Sequence, residues 1–472
     1  MNSSCQYNLK LNDRKRLYKS YLGGLFMTNK NNSKQMLLGL GFTGTHGASA
    51  EAWKSEDIHS DIYPDINADI RYAQLAEKGK FQFIFIGDFP GALPNNNSEL
   101  PAMTLEPIIT ATALLQQTKY IGVASTVHTQ WNNPYTVARQ FKGIDLMSGG
   151  RIAWNAVTGS SPKVAEHFGV NLMQSRLRYE SHYEFVETVQ HLWATWGEDA
   201  LKADKEKGIF ADYNQVKPVH ISGKHIQANG ALPIPPSPQG QPVIFHSGGS
   251  PNSIAFAGRY ASAMIGEVWT IEQGVATRKA LRQAAVDAGR NPDEVKFIAG
   301  LIPVVADSKR DAINRHARFI DDYTLQQRAF HIGMILGTNF TPEDLDHPIA
   351  SEILNRITIT PYSDPRIENV LKVAREGWTL RDIIYQSVID YHPATLGDAK
   401  ETADHLTEWF QSGAADGFWI IPDTYGNDLE RFVDEVVPIL QERGVFHEDY
   451  EGETLRENLD IPYQYGVDQR LS

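Results

Sequence analysis

A single cysteine, Cys5, in a chain of 472 residues excludes a disulfide within the chain and any thiolate metal cluster. One thiol in so long a sequence suits a reducing, cytoplasmic compartment. No apolar run approaches the roughly 18–20 residues needed to cross a bilayer. The opening stretch, MNSSCQYNLKLNDRKRLYKSYLGGLF, holds bases but no apolar core of the kind a secretory leader needs, so neither membrane nor export is expected. Positive charge is in deficit: 44 Lys and Arg stand against 57 Asp and Glu, a formal charge of −13. Nucleic acids and anionic membrane surfaces are therefore poor partners, since both are held by bases that neutralise phosphate. Also missing are a GxSxG elbow, a Walker A loop and any HxxxH pair. His46, His128, His246 and His331 are scattered without ligand spacing, which argues against a metal site.

What the chain does have is alternation. Short apolar runs recur at Met36–Phe42, Phe81–Asp88, Lys119–His128, Arg151–Thr158, Gln241–Gly248, Ser262–Val268, Val295–Ala306 and Gly417–Pro422. Near-continuous hydrophobic runs fit parallel strands covered on both faces better than half-exposed antiparallel ones. Between them lie helical patterns. One ends at Gly79, one opens at Pro134 and stops at Gly149-Gly150, and one opens with Ser250-Pro251. A last pattern, Asn427–Gly444, contains Pro438, which predicts a kink or a division. Eight such strands alternating with helices predict an α/β fold, a (β/α)8 TIM barrel with insertions, with a doubly wound open sheet as the runner-up. The insertions fall near 200–240, Pro-rich with short strands, and near 329–391, helical in pattern; excursions of this size supply lids or subunit contacts. The charged end, Phe446–Ser472, reads as a segment wrapping a surface or a partner subunit.

Barrel sites are built at the C-terminal ends of the strands. That rule nominates the loop after Phe42 with His46 and Trp53, then Asp88, then Ser125, Thr126 and His128, then Asn155 and Thr158, and finally His246 and Ser247. The most informative piece is HSGGSPNS. Gly248 and Gly249 let a ligand approach the backbone, and Ser250 opens a helix whose free N–H groups and dipole favour a phosphate. The same residues would equally form a Gly-rich turn with a Ser N-cap and no ligand. Asp88 either binds or caps a turn, Ser125 and Thr126 either face the mouth or serve as strand formers, and Asn155 is a ligand or a structural amide. Arg139, Arg178 and Arg259 either meet an anionic substrate or pair with local acids, the second being the ordinary fate of a helix arginine.

Several separated segments, AEKGKFQFIFIGD, PYTVARQFKGIDLMSGGRIAWNAVT, RYESHYEFVE, GGSPNSIAFAGRYA, DGFWIIP, VVPILQERGVF and YEGETLRENL, carry a resemblance in their order and spacing. From about Gln35 to about Leu459 the chain resembles the nitrilotriacetate and dibenzothiophene-sulfone monooxygenase branch of the bacterial-luciferase-like flavin enzymes. The resemblance implies a luciferase-like barrel over 35–459, while the segment 1–34 itself reads as a disordered extension (with Met27 a natural start) and 460–472 as a tail. It implies a homodimer or homotetramer and FMN held as a cosubstrate. FMNH2 comes from a separate NAD(P)H:flavin reductase, and O2 is activated as a C4a-(hydro)peroxyflavin that oxygenates a small organic molecule. The cofactor carries the hard chemistry, consistent with the lack of an acid–base constellation; no catalytic residue is indicated.

Carried over by position, Asp88 matches the family's strand-two acid near the flavin ring, Ser125 and Thr126 the strand-three pair along it, and Asn155 the asparagine of a W-N-x-V-T motif. Tyr179 and Ser250 match phosphate-contacting positions, with Gly248 and Gly249 as backbone donors. Two departures stand out. Ser175 occupies a place where many relatives carry histidine, and a usual Q-A-G reads His246-Ser247-Gly248 here, so His246 is a candidate to compensate for the missing histidine. A deazaflavin-dependent dehydrogenase and a non-catalytic flavin-binding protein are the alternatives on the same barrel.

Overall fold

The computed structural model describes residues 34–42, 46–49, 51–58, 64–91, 100–101, 105–360 and 362–467. The disorder and the alternative start expected within 1–34 lie outside them, as do Thr43–Thr45 and Ala50 of the first loop.

Eight parallel strands, β1 (Leu37–Phe42), β2 (Phe83–Ile86), β3 (Gly122–His128), β4 (Ile152–Val157), β5 (Val243–Ser247), β6 (Ala263–Gly266), β7 (Lys296–Val305) and β8 (Gly417–Ile420), fall inside the eight apolar runs. Their lateral order is β6-β5-β4-β3-β2-β1-β8-β7, and β7 pairs with β6 to close the ring. The open-sheet alternative is thereby excluded. Closure leaves each strand with two buried faces. Phe83, Phe85, Ala124, Ala153, Val243, Phe245, Ile265 and Ile298 fill the barrel. Leu38, Leu40, Ile84, Val123, Trp154 and Ile244, at the alternate positions, pack outward against the helices. Gly39-Leu40-Gly41-Phe42-Thr43-Gly44 has the glycine spacing of a dinucleotide-binding turn, yet Gly39 and Gly41 sit within β1 itself. A Cβ there would strike the Phe83 ring at 2.2 Å and Trp419 Nε1 at 2.3 Å, so these glycines make room inside the barrel.

The helix ends follow local chemistry. Asn133 caps the helix Pro134–Ser148 by accepting from Tyr135 and Thr136 N–H, and Gly149 ends it in the left-handed region at φ +72°. The helix Ile66–Lys78 ends at Gly79 as its C-cap, as expected, and Lys80 after it takes the left-handed conformation. The helical pattern is divided, as Pro438 predicts, with Pro438 in the first turn of the last segment, Val437–Glu442. A π-turn over Phe432–Val436 precedes Val437–Glu442 and absorbs the missing N–H by widening one turn.

The first insertion forms two antiparallel hairpins, Leu201–Asp204 with Ile209–Ala211 and Val219–Ser222 with Gln227–Gly230. The second begins earlier than expected, with a helix at Lys309–Ala317. It builds a separate core from Ile332, Val370, Leu371, Leu380, Ile383 and Ile384. It returns through a strand, Ala394–Gly397, that adds to the far half of β7. The charged end of the chain is not a loose wrap. Leu455 and Leu459 are fully buried in the cluster that fills the barrel interior, Leu455 N donates to Gly150 O at 2.9 Å, and a Cβ on Gly122 would meet Leu455 at 2.6 Å. Gly122 and Gly150 lie at the N-terminal ends of β3 and β4, so this segment plugs the floor of the barrel and leaves the opposite mouth for a ligand. Residues 460–467 continue from it: Ile461 joins the same cluster, and Gly466 N donates to Gln241 Oε1 at 2.6 Å.

Candidate active site

Strand parity decides which strand-end residues reach the mouth. Thr126, Asn155 and Ser247 share the inward face with Ala124, Ala153 and Phe245 and form one hydrogen-bonded line across four strands. Thr126 Oγ1 donates to Ile86 O at 2.7 Å, Asn155 Nδ2 donates to Thr126 Oγ1 at 2.9 Å, and Ser247 Oγ donates to Asn155 Oδ1 at 3.1 Å. Asp88 follows β2 at the same rim. His128 Nδ1 lies 3.3 Å from its Oδ2, and Trp131 packs over the His128 ring at 4.8 Å.

Ser125 is separated from this set. It has the parity of Val123 and Val127, so its side chain faces the helix layer, fully buried and without a hydrogen-bond partner for Oγ. Of the expected pair, only Thr126 turns its side chain into the barrel mouth. His246 is turned outward by the same alternation. Its Nδ1 sits 2.6 Å from Ala156 O and its ring packs on Phe256 at 4.7 Å. Burial lowers the imidazole pKa to about 4, so His246 is neutral near pH 7 and cannot replace a cationic histidine. His182, beside it at 5.9 Å, is held neutral in the same way, by burial and then by His246. Thr158 donates to Gly159 O at 3.2 Å, and His46, buried, bonds Tyr72 Oη at 3.0 Å. Trp53 is exposed. Arg259 pairs with Glu187 at 3.5 Å, Arg178 donates to Met173 O at 3.0 Å, and Arg139 is exposed.

After β5 the chain enters the helix Pro251–Tyr260 with Ser250 as its N-cap, accepting from Ser253 N. Gly248 takes φ +140°, a conformation open to glycine, and a Cβ there would crowd Ser253 Oγ at 2.6 Å, whereas one on Gly249 would meet nothing. From the helix Ser175–Trp193, Tyr179 Oη reaches Ser253 Oγ at 2.9 Å, and Ser253 Oγ lies 3.1 Å from Ser250 Oγ. Three hydroxyls thus form a chain beside a helix N-terminus. Ser250 Oγ can turn its proton toward an anion while its oxygen still accepts from Ser253 N, so capping and ligand binding are compatible. Ser175, Tyr179, Tyr183 and Asn252 line a cavity of about 720 Å³ at this end. A second cavity of about 450 Å³ at the other end of the rim is lined by Asp88, Thr126, Trp131, Gln140, Ile108 and Phe168.

Another constellation was not legible in sequence. Ser387 Oγ lies 2.5 Å from His316 Nε2, and His316 Nδ1 lies 2.7 Å from Asp423 Oδ2, with Asp390 at 3.9 Å paired to Arg328. The order is that of an acyl-transfer triad, but Ser387 is 1% exposed, which closes its hydroxyl to a substrate. The geometry is a tether: it joins two parts of the second insertion, at His316 and Ser387, to Asp423 in the loop after β8. Burial opposes charge on His316, yet Asp423 and then Asp390 overcome it and raise its pKa above the ordinary value. The tether's contribution is complete below about pH 6.5 and fades as pH rises through the raised value. His316→Gln should therefore lower the urea midpoint most near about pH 6 and least near about pH 9. A pH-independent deficit would refute the charged tether.

A closed parallel barrel with a hydroxyl-lined helix N-terminus after β5 and a polar line across the adjoining strand ends has the layout of a TIM-barrel enzyme with its site at the strand C-termini. Comparison with known proteins makes the assignment specific. The model of the luciferase-like monooxygenase family matches residues 42–416, and the chain belongs to that family. N-acetyl-S-(2-succino)cysteine monooxygenase of Bacillus subtilis (strain 168) is 32% identical over 452 residues, spanning 92% of this chain and 98% of the relative. Dibenzothiophene-sulfone monooxygenase of Rhodococcus erythropolis is 32% identical over 438 residues, spanning 89% and 94%. Among solved structures, EDTA monooxygenase (EmoA) from Chelativorans sp. BNC1 is similar with a TM-score of 0.77 at 28% identity, covering 92% of this chain and all of that one. The protein is an oxidoreductase of the monooxygenase class. No helix among the described residues is long and apolar enough to cross a membrane.

Proposed function

We propose that this chain is the oxygenating half of a two-component system, taking FMNH2 from a separate NAD(P)H:flavin reductase and using O2 to oxygenate a small organic substrate. The observation that carries the reading is the cradle formed by Gly248, Gly249, Ser250, Ser253 and Tyr179 at a helix N-terminus. It fits a phosphate monoester. The backbone N–H of Gly249 and the three hydroxyls would hold the phosphate, and Asn155, Thr126 and Asp88 continue from it along the strand ends toward β2. Reduced FMN, when bound, supplies the electrons with which O2 is split for transfer of one atom. The protein's own part is to orient and to exclude water. Thr126 and Asn155 are fixed by their mutual bonds and do not reorganise, while Trp131 and Phe168 shield one side of the rim. The compounds named for the relatives differ in charge, because N-acetyl-S-(2-succino)cysteine and EDTA carry several carboxylates and dibenzothiophene sulfone none.

The test is anaerobic titration with photoreduced FMN, followed by rapid mixing with oxygenated buffer. Saturable binding and reoxidation slower than that of free reduced FMN are the expected result. Binding with reoxidation at the free-flavin rate would favour a non-catalytic flavin carrier. Absence of binding would send the search to a deazaflavin and hydride transfer.

A further inference from the structure

The cavity of about 450 Å³ at the ends of β2 and β3 has an electrical character as well as a shape. One wall is aromatic: Trp131 stacks on Phe168 at 5.4 Å between ring centres, 13° from parallel. Ile108 and Leu105 add apolar surface. The charged side chains that line it are Asp88 and Glu106, and among the described residues no Lys or Arg does. Half of the lining residues fall between Asp88 and Ile108, and none of them is a base. Two imidazoles are nearby: His128 Nδ1 is turned to Asp88 at 3.3 Å, and the His167 ring lies against Gly91. Arginines of the second insertion are engaged elsewhere, Arg315 with Asp428 at 2.5 Å, Arg366 with Asp364 at 2.6 Å and Arg328 with Asp390.

From this arrangement we infer that the cavity selects its organic substrate by charge: it takes a flat, uncharged or cationic molecule against Trp131 and Phe168, and Asp88 with Glu106 turn carboxylates away. The inference rests on the monooxygenase reading for calling the occupant a substrate. A carboxylate entering here loses its water and meets two like charges with no cation to replace the lost solvation. An ammonium group gains from the same two charges and from the indole face. Glu106 already registers the conflict, because burial, with Asp88 adding, raises its carboxyl above the usual range although Ile109 N donates to it at 2.9 Å.

Three isosteric probes separate the possibilities: 4-(methylthio)benzyl alcohol, 4-(methylthio)benzylamine and 4-(methylthio)benzoate, each titrated calorimetrically into the full chain. The amine and the alcohol should bind about tenfold or more tightly than the benzoate. Glu106→Gln keeps the carbonyl that accepts from Ile109 N and removes the charge, and it should shrink the amine-to-benzoate ratio by about threefold or more. Benzoate binding as tightly as the alcohol, no binding of any probe, or an unchanged ratio in the variant each overturns the inference. These titrations need neither reduced flavin nor oxygen. Failure of the oxygen assay with the charge order intact would sink the flavin reading alone, and the reverse result would sink charge selection alone.

Discussion

Removing two hydroxyls, in a Tyr179→Phe, Ser250→Gly double variant, should weaken reduced-FMN binding by about two to four orders of magnitude, because each hydrogen bond to a charged group contributes roughly 1.5–3 kcal/mol. The fold should survive. Tyr179 Oη bonds only toward Ser253 at 2.9 Å, and glycine at an N-cap costs only a few tenths of a kcal/mol relative to serine. Anaerobic fluorescence titration reads the affinity, and circular dichroism checks the fold. Each single variant should lose about one to two orders of magnitude. Because Ser253 links the two hydroxyls, the losses need not add. Affinity within about threefold of the parent in the double variant would place the phosphate elsewhere.

The second large effect is on stability. Asp416, 2% exposed, precedes β8 and receives both Arg278 Nε and Nη2 at 2.9 Å as well as Phe297 N at 2.9 Å. One carboxylate thus joins the helix Ile271–Asp287 to the starts of β7 and β8. Asp416→Ala leaves a guanidinium unpaired and a backbone donor orphaned, and it should destabilise the chain by about 3–5 kcal/mol. Asp416→Asn retains an acceptor for Phe297 N and should lose less. The urea midpoint measures both. Equal losses in the two variants would mean that the charge pairing contributes everything and the backbone bond nothing.

The barrel was legible because closure buries both strand faces, and each strand therefore appears as an unbroken apolar run such as FIFI at Phe83–Ile86. The same fact hid the direction of the side chains. With no polar face to alternate against, nothing in STVH distinguishes Ser125 from Thr126, or His246 from Ser247. Only the registers β3 to β4 and β4 to β5 separate them. The proposed phosphate cradle is visible in sequence as far as it is local, from Gly248 to Ser250. Ser253, its central hydroxyl, looked like an ordinary helix residue. The His316 tether joins side chains 71 and 107 positions apart, and no local pattern announces such a contact. Trp131, Phe168 and Glu106 lie on loops and at a helix cap, where an aromatic ring or an acid has many ordinary uses. The floor plug was misread because its charges, such as Glu451, Glu453 and Arg456, mask the two leucines that enter the barrel.

The line from Ile86 O to Ser247 has one end that can only accept. A carbonyl oxygen has no proton to give, so Thr126 must donate to it and must take its own bond from the Asn155 NH2. That assigns the Asn155 amide without reference to electron density: its oxygen faces Ser247, and Ser247 donates inward. The row cannot flip as a unit, as a row closed at both ends by hydroxyls could. Ser247 has given away its one proton and offers lone pairs to whatever lies in the mouth, while Asn155 keeps a second N–H. The rim is therefore polarised one way, and a flat ligand laid along it has a defined front and back before any charged group has acted.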